Sequence, residues 1–335
     1  MGVKVGINGF GRIGRLVCRI AMGVDDIEIV GVNDVAPIKV LAHLFKYDST
    51  YHTYKGDVKI DGDSLVIDGK QIKVTAERDP ANIPWGKLGA DIVLESTGFF
   101  TKLDDAGKHI QAGAKRVIIS APAKGGVTTF VLKVNCSKYD PAKDFVVSNA
   151  SCTTNCLAPV LKVLNDTFTV EHGLMTTVHA VTNDQRVLDS PHEDLARARA
   201  SYESMIPTKT GAASAIGQVI PEVDGKLDGL AIRVPTIVVS LVDLAVVVSK
   251  EATIESVNAA MKAASEGPMA KVLEYNTLPL VSVDYRGNSH SAIFDAPLTK
   301  VTGGKLVRVY AWYDNEWGYA SRCVDFFRLM AEKGV

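Results

Sequence analysis

Ser148-Asn149-Ala150-Ser151-Cys152-Thr153-Thr154-Asn155-Cys156 lies between two stretches of different character. Before it, Phe145-Val146-Val147 is an apolar run that ends a strand. After it, Leu157-Ala158-Pro159-Val160-Leu161-Lys162-Val163-Leu164 carries apolar residues at helical spacing. Ser151 or a neighbour is then the N-cap, and Cys152 falls in the first helical turn. Unpaired N–H groups and the helix dipole favour an anion there, so the nucleophilic thiolate is stabilised. The competing reading is a buried thiol acting as a small hydrophobe, and the Ser, Asn and Thr on both sides argue against it. Cys156 lies one turn deeper and reads as structural. No CxxC or HxxxH pair supplies further ligands, so no metal site is expected.

Upstream, Val3-Lys4-Val5-Gly6-Ile7 reads as a short strand, and residues 15–21 read as a helix. Between them Gly9-Phe10-Gly11-Arg12-Ile13-Gly14 is G-x-G-x-x-G in the strand–turn–helix context that brings a pyrophosphate to a helix N-terminus. A second strand, Ile27-Glu28-Ile29-Val30-Gly31-Val32, ends at Asn33-Asp34. Asp34 follows Gly14 by about 20 residues, where a carboxylate bonds an adenosine ribose. Further apolar strands end in small polar residues at Ser96-Thr97, Ser120-Ala121 and Ser148-Asn149, as in a parallel sheet that binds ligand at its carboxyl edge. Residues 56–75 alternate polar and apolar around two Asp-Gly turns, which predicts antiparallel hairpins at a sheet edge.

The second half reads differently. Leu174-Met175-Thr176-Thr177-Val178-His179 is a strand ending in a histidine suited to serve a nucleophilic thiol as base. Residues 182–225 read as a long irregular loop with Arg186, Arg197, Arg199 and Thr208-Lys209-Thr210-Gly211, whose hydroxyls and N–H groups suit an anion. Arg233 sits among apolar residues and needs an anionic partner. Residues 237–248 and 305–313 read as strands, and 254–265 and 319–331 as helices. Runs of strands with few helices predict a mainly antiparallel sheet. The expected class is α/β: an N-terminal Rossmann dinucleotide-binding domain over 1–150, then an α+β catalytic domain over 151–315.

A chain of 335 residues suits two domains. A net charge of −1 gives no general field for nucleic acid or an anionic membrane. Five cysteines without framework spacing suggest a reducing compartment, and no apolar run approaches the ~20 residues of a membrane helix, so a cytoplasmic protein is expected.

Across the whole chain these motifs resemble the phosphorylating glyceraldehyde-3-phosphate dehydrogenase family. The carriers are residues 6–14, the cysteine stretch, His179-Ala180-Val181-Thr182, residues 206–213, Arg233-Val234-Pro235-Thr236 and Trp312-Tyr313-Asp314-Asn315-Glu316. The resemblance implies NAD as cofactor, a homotetramer, and a C-terminal helix over 316–335 that packs back on the first domain. It also implies that glyceraldehyde 3-phosphate and inorganic phosphate are the substrates. By the same resemblance Cys152 attacks the aldehyde and His179 is the base. Arg12, Ile13, Asp34, Arg78, Thr97, Ser120 and Asn315 match cofactor contacts. Thr182 and Arg233 match the substrate-phosphate site, and Ser151, Thr153, Thr210 and Gly211, with Thr208 beside them, the inorganic-phosphate site. Ser190-Pro191 matches a loop that crowds a neighbouring subunit's adenosine ribose. Val181 replaces a common Tyr, and Ile237-Val238 a usual Pro-Asn. Erythrose-4-phosphate and aspartate-semialdehyde dehydrogenases are same-class rivals. A thiol acyltransferase or hydrolase and a non-catalytic nucleotide- or RNA-binding protein are rivals of other classes.

Overall fold

The computed structural model describes residues 2–335, which divide into two compact units. The first comprises Met1–Phe130, Lys138–Ala150 and Ala320–Val335. Its nine strands are β1 (Val3–Asn8), β2 (Ile27–Asn33), β3 (Val58–Asp61), β4 (Ser64–Ile67), β5 (Lys70–Thr75), β6 (Ile92–Glu95), β7 (Arg116–Ile119), β8 (Thr128–Thr129) and β9 (Val146–Ser148). They form one sheet in the order β3-β4-β5-β2-β1-β6-β7-β9-β8. Every pairing from β5 to β8 is parallel, while β3, β4 and β5 pair antiparallel as edge hairpins. The Asp68-Gly69 loop has φ of 49° and 80°, the two positive values of a tight hairpin turn. Ile7, Leu94 and Ile119 are fully buried in the central strands, which explains their continuous apolar character. β1 has β2 on one side and β6 on the other, so the winding reverses at its carboxyl end, where helix α1 (Arg12–Met22) begins. Ligands of open α/β sheets bind at such a point. The C-terminal residues complete this unit: Phe326 packs on Phe130 and Tyr139 with ring centroids 6.0 and 6.1 Å apart, and Arg328 pairs with Asp26 at 2.6 Å.

The second unit comprises Val131–Ser137 and Ser151–Tyr319. Its strands are β10 (Val170–His179), β11 (Ile206–Lys209), β12 (Leu227–Arg233), β13 (Ser240–Val248), β14 (Leu273–Asn276), β15 (Ala292–Asp295), β16 (Lys300–Thr302) and β17 (Leu306–Tyr313). They run in the order β11-β12-β10-β13-β17-β15-β14, with β16 also on β17. Only β10–β12 and β14–β15 pair in parallel, so the sheet is mainly antiparallel. β13 alternates buried and half-buried residues, and helix α2 (Cys152–Phe168), apolar along most of its length, lies against β13, β15 and β17.

Two expectations change. The 182–225 segment is not irregular throughout, since it holds β11 and the helix Ala212–Val219. β11 has only two inward residues, Ile206 and Thr208, and one is polar, so alternation gives little signal. The strand expected from residue 237 begins at Ser240, because Val239 adopts φ 71°, which ends an extended run.

Candidate active site

Ala150 adopts φ 55° and Ser151 returns to extended backbone as the N-cap of α2, its Oγ accepting the Thr154 N–H at 3.0 Å. Cys152 is therefore the first helical residue, and it is half-buried. Its Sγ lies 3.6 Å from His179 Nε2. β10 and β12 run parallel with His179 opposite Arg233, so both side chains emerge at the carboxyl ends of adjacent strands. Arg233 Nη1 lies 2.7 Å from His179 Nδ1 and 3.2 Å from the Ala180 carbonyl.

The Ala180 carbonyl oxygen, 2.7 Å from Nδ1, can only accept. With the His179 proton on Nδ1 and given to that oxygen, Arg233, which can only donate, bonds the same Ala180 oxygen through Nη1 and lies beside Nδ1 without a hydrogen bond to it, and the Nε2 lone pair faces the thiol. Burial, and then the Arg233 cation, push the His179 pKa down to about 3, so the imidazole is neutral at neutral pH. Burial also pushes the Cys152 thiol up, against the Arg233 charge, the Thr153 hydroxyl and the N–H groups of Thr153 and Cys152. The anion-stabilising groups expected from sequence are present, and in the free site burial outweighs them. Passing the proton from Sγ to Nε2 makes an ion pair. Unit charges about 4 Å apart attract by ~4 kcal/mol at an effective dielectric of 20, or roughly three pKa units, which offsets much of the burial cost. By contrast Cys156, fully buried with its thiol 3.7 Å from the Ala311 carbonyl, is held neutral by burial.

Buried hydroxyls support this pair. Tyr313 OH lies 2.9 Å from Thr153 Oγ1 and 2.8 Å from Thr177 Oγ1, and its ring meets His179 edge-on at 6.0 Å. Ser240 Oγ accepts the Ala180 N–H and donates to Asn315 Oδ1, both at 3.0 Å, leaving the Asn315 amide to donate. The positive φ of Val239 immediately before Ser240 is backbone strain beside the site. Backbone bonds from Val234 N–H to His179 O and Val181 N–H to Thr236 O, each 3.0 Å, bring half-buried Thr182 alongside the Arg233 segment. Thr208 is committed elsewhere: its hydroxyl donates to Asp194 and accepts from Arg197 Nε at 2.9 Å. Thr210 Oγ1 accepts the Ala212 N–H at 3.2 Å, and Gly211 caps the helix Ala212–Val219.

The first unit offers a dinucleotide cradle. A Cβ at Gly14 would stand 2.2 Å from the Gly9 carbonyl oxygen, and one at Gly9, which has φ +91°, 2.7 Å from Thr97 N. Only glycine lets the turn close this tightly. Gly11 caps α1 without a side-chain hydrogen bond, leaving first-turn N–H groups to face an anion at Arg12 and Ile13. Asp34 accepts the Phe10 and Ala36 N–H groups at 2.8 and 2.9 Å, one on each oxygen, so each keeps a lone pair for a ribose hydroxyl. Thr97 follows β6 and Ser120 follows β7, with Ser120 Oγ donating to Glu95 O at 3.0 Å, while Arg78 is exposed beyond β5. These residues fit a dinucleotide.

A family model described as the glyceraldehyde 3-phosphate dehydrogenase NAD binding domain matches residues 3–103, and one for the C-terminal domain matches residues 151–315. The chain is 57% identical over 335 residues to a glyceraldehyde-3-phosphate dehydrogenase of Geobacillus stearothermophilus, covering all of both chains. The chain belongs to the glyceraldehyde-3-phosphate dehydrogenase family. Similar relatives are glyceraldehyde-3-phosphate dehydrogenase 1 of Bacillus subtilis, 56% identical over the whole of both chains, and the Zymomonas mobilis enzyme, 55% identical over 99% of each. NAD is thus the cofactor that its nucleotide-binding domain serves.

Sequence reasoning passed over several residues that organise this dehydrogenase. Buried Glu95 accepts from Asn8 Nδ2 at 2.6 Å, Thr97 N at 2.8 Å and His109 Nε2 at 3.0 Å. Trp85 Nε1–H donates to His109 Nδ1 at 2.9 Å, which fixes the histidine tautomer. A carboxylate inside an apolar strand was the available signal. Ser240 carried none, and Tyr313, named only within its motif, showed no role there, because their partners lie far away in sequence.

Proposed function

We propose that the protein oxidises glyceraldehyde 3-phosphate to 1,3-bisphosphoglycerate with NAD and inorganic phosphate, as a step of glycolysis or gluconeogenesis. The observation that carries this reading is the line of Cys152 Sγ, His179 and Arg233, at 3.6 and 2.7 Å. Cys152 Sγ attacks the aldehyde carbon as its proton passes to His179 Nε2, and the imidazolium stabilises the developing oxyanion and then gives it that proton, making the hemithioacetal hydroxyl. The hemithioacetal hydroxyl returns its proton to His179 as the carbon gives up hydride, leaving a thioester on Cys152. NAD, when bound, supplies the hydride acceptor. Inorganic phosphate then attacks the thioester carbon, and the thiol leaves with its proton restored from His179.

Two anion sites follow from this chemistry. Arg233 and Thr182 hold the substrate's phosphate; Ser151, Thr153, Thr208, Thr210 and Gly211 receive the attacking phosphate, for which Thr208 turns from its bonds to Asp194 and Arg197. Arg12, Ile13, Asp34, Arg78, Thr97, Ser120 and Asn315 hold the cofactor. A homotetramer is part of the reading, and exposed Val187, Leu188, Leu195 and Met205 support it as apolar surface in need of cover. So is a cytoplasmic location, which the five free thiols suit. No helix among the described residues is long and apolar enough to cross a membrane. Steady-state rates with glyceraldehyde 3-phosphate and erythrose 4-phosphate, with and without phosphate, test the assignment. Preference for the first and dependence on phosphate are expected; phosphate-independent turnover would contradict it.

A further inference from the structure

Gln185 lies three residues past Thr182 and is only 6% exposed. Thr182 N–H donates to Gln185 Oε1 at 3.1 Å, and Gln185 N–H donates to Thr182 O at 3.0 Å, closing a tight turn. A backbone N–H can only donate, so the amide's orientation is fixed: the oxygen holds Thr182 and the NH2 group points away from it. That Nε2 is buried and has no hydrogen-bond partner. Arg233 Nε is in the same condition. The two lie on segments joined by the Val181–Thr236 and Val234–His179 backbone bonds. Unmet buried donors are costly, and native structures rarely keep them without a use. The nearest carboxylate in sequence, Asp184, is already bonded to Arg197 and His192. A phosphate brought by the substrate would offer acceptors to both donors.

We propose that Gln185 is a substrate-binding residue: its Nε2 donates to the phosphate of the phosphorylated aldehyde beside Arg233, while its Oε1 holds the Thr182 backbone at the same phosphate. This rests on the function proposed above. A neutral donor adds a contact without the like-charge repulsion that a second cation would bring to Arg233. With an unphosphorylated aldehyde the donors stay unmet as they are in the free site, so the contact favours the phosphorylated substrate alone.

The test uses Gln185→Glu, which keeps an oxygen for the Thr182 N–H and replaces both donors with an acceptor, and Gln185→Met, which removes both contacts. KM and kcat are measured for glyceraldehyde 3-phosphate, for unphosphorylated glyceraldehyde and for inorganic phosphate. In both variants KM for glyceraldehyde 3-phosphate rises on the order of 10- to 100-fold, the scale of a hydrogen bond to a charged group. In Gln185→Glu the change in the inorganic-phosphate KM and the loss in kcat/KM for glyceraldehyde are each at least about fivefold smaller than the loss with glyceraldehyde 3-phosphate. An unchanged KM for the phosphorylated aldehyde in Gln185→Glu, or an equal loss with both aldehydes, overturns the proposal. A rise confined to the inorganic-phosphate KM assigns Gln185 to the other anion and overturns it too. A wild-type protein that uses both aldehydes equally well overturns the reading of function itself.

Discussion

Arg233→Ala separates substrate binding from the chemistry of the thiol–imidazole pair. The side chain touches His179 Nδ1 and Ala180 O and is assigned the substrate phosphate. Losing a hydrogen bond to a charged group costs about 1.5–3 kcal/mol, or roughly 10- to 150-fold in kcat/KM for glyceraldehyde 3-phosphate. Unphosphorylated glyceraldehyde never makes that contact. The electrostatic side effects have opposite signs. Arg233 holds the His179 pKa down and opposes the burial that pushes Cys152 up, so its removal raises both. Imidazolium becomes easier to form and thiolate harder. The ion pair they form has no net charge, so the two effects largely cancel in the attack step, and kcat/KM for glyceraldehyde changes less than about tenfold. The assay follows reduced-nicotinamide absorbance with each aldehyde, alongside the melting temperature. An equal loss with both aldehydes would refute the reasoning and make Arg233 a structural residue.

Cys152→Ser abolishes oxidation because a hydroxyl is a far weaker nucleophile near neutral pH, whereas Cys156→Ser keeps substantial activity. One equivalent of iodoacetate should inactivate the wild type by labelling Cys152, and labelling of Cys156 instead would contradict the assignment. His179→Asn lowers kcat on the order of 10²- to 10⁴-fold and slows alkylation of Cys152, which an unchanged pH–rate profile would disprove. NAD is preferred to NADP, because a 2′-phosphate brings like charge against Asp34. No Arg or Lys between Asn33 and Ile38 compensates. Values of kcat/KM for the two cofactors within about threefold, under ~1 kcal/mol, would exclude that preference.

Local chemistry made much of this legible in the sequence. The glycine turn, the apolar strand after it and the Ser-capped cysteine each announce their structure within a few residues, and the structure has β1, α1 and α2 there. Hairpin turns at the sheet edge were equally readable, since Asp-Gly pairs demand positive φ. What sequence could not supply was register. Only the parallel pairing of β10 with β12 brings Arg233 beside His179, although 54 positions separate them. The Thr153–Tyr313–Thr177 hydroxyl chain likewise spans α2, β17 and β10. Burial was also invisible: the helix terminus argues for a thiolate, while the desolvation that opposes it exists only in the folded chain.

The covalent intermediate tests the account most directly. The protein is mixed with glyceraldehyde 3-phosphate and NAD in the absence of phosphate, then acid-quenched, digested and examined by peptide mass spectrometry. A single stoichiometric burst of reduced cofactor is expected, with the acyl group as a thioester on the Cys152 peptide, and added inorganic phosphate should discharge it and restore turnover. Steady turnover without phosphate, or an acyl group on any residue other than Cys152, would contradict the mechanism.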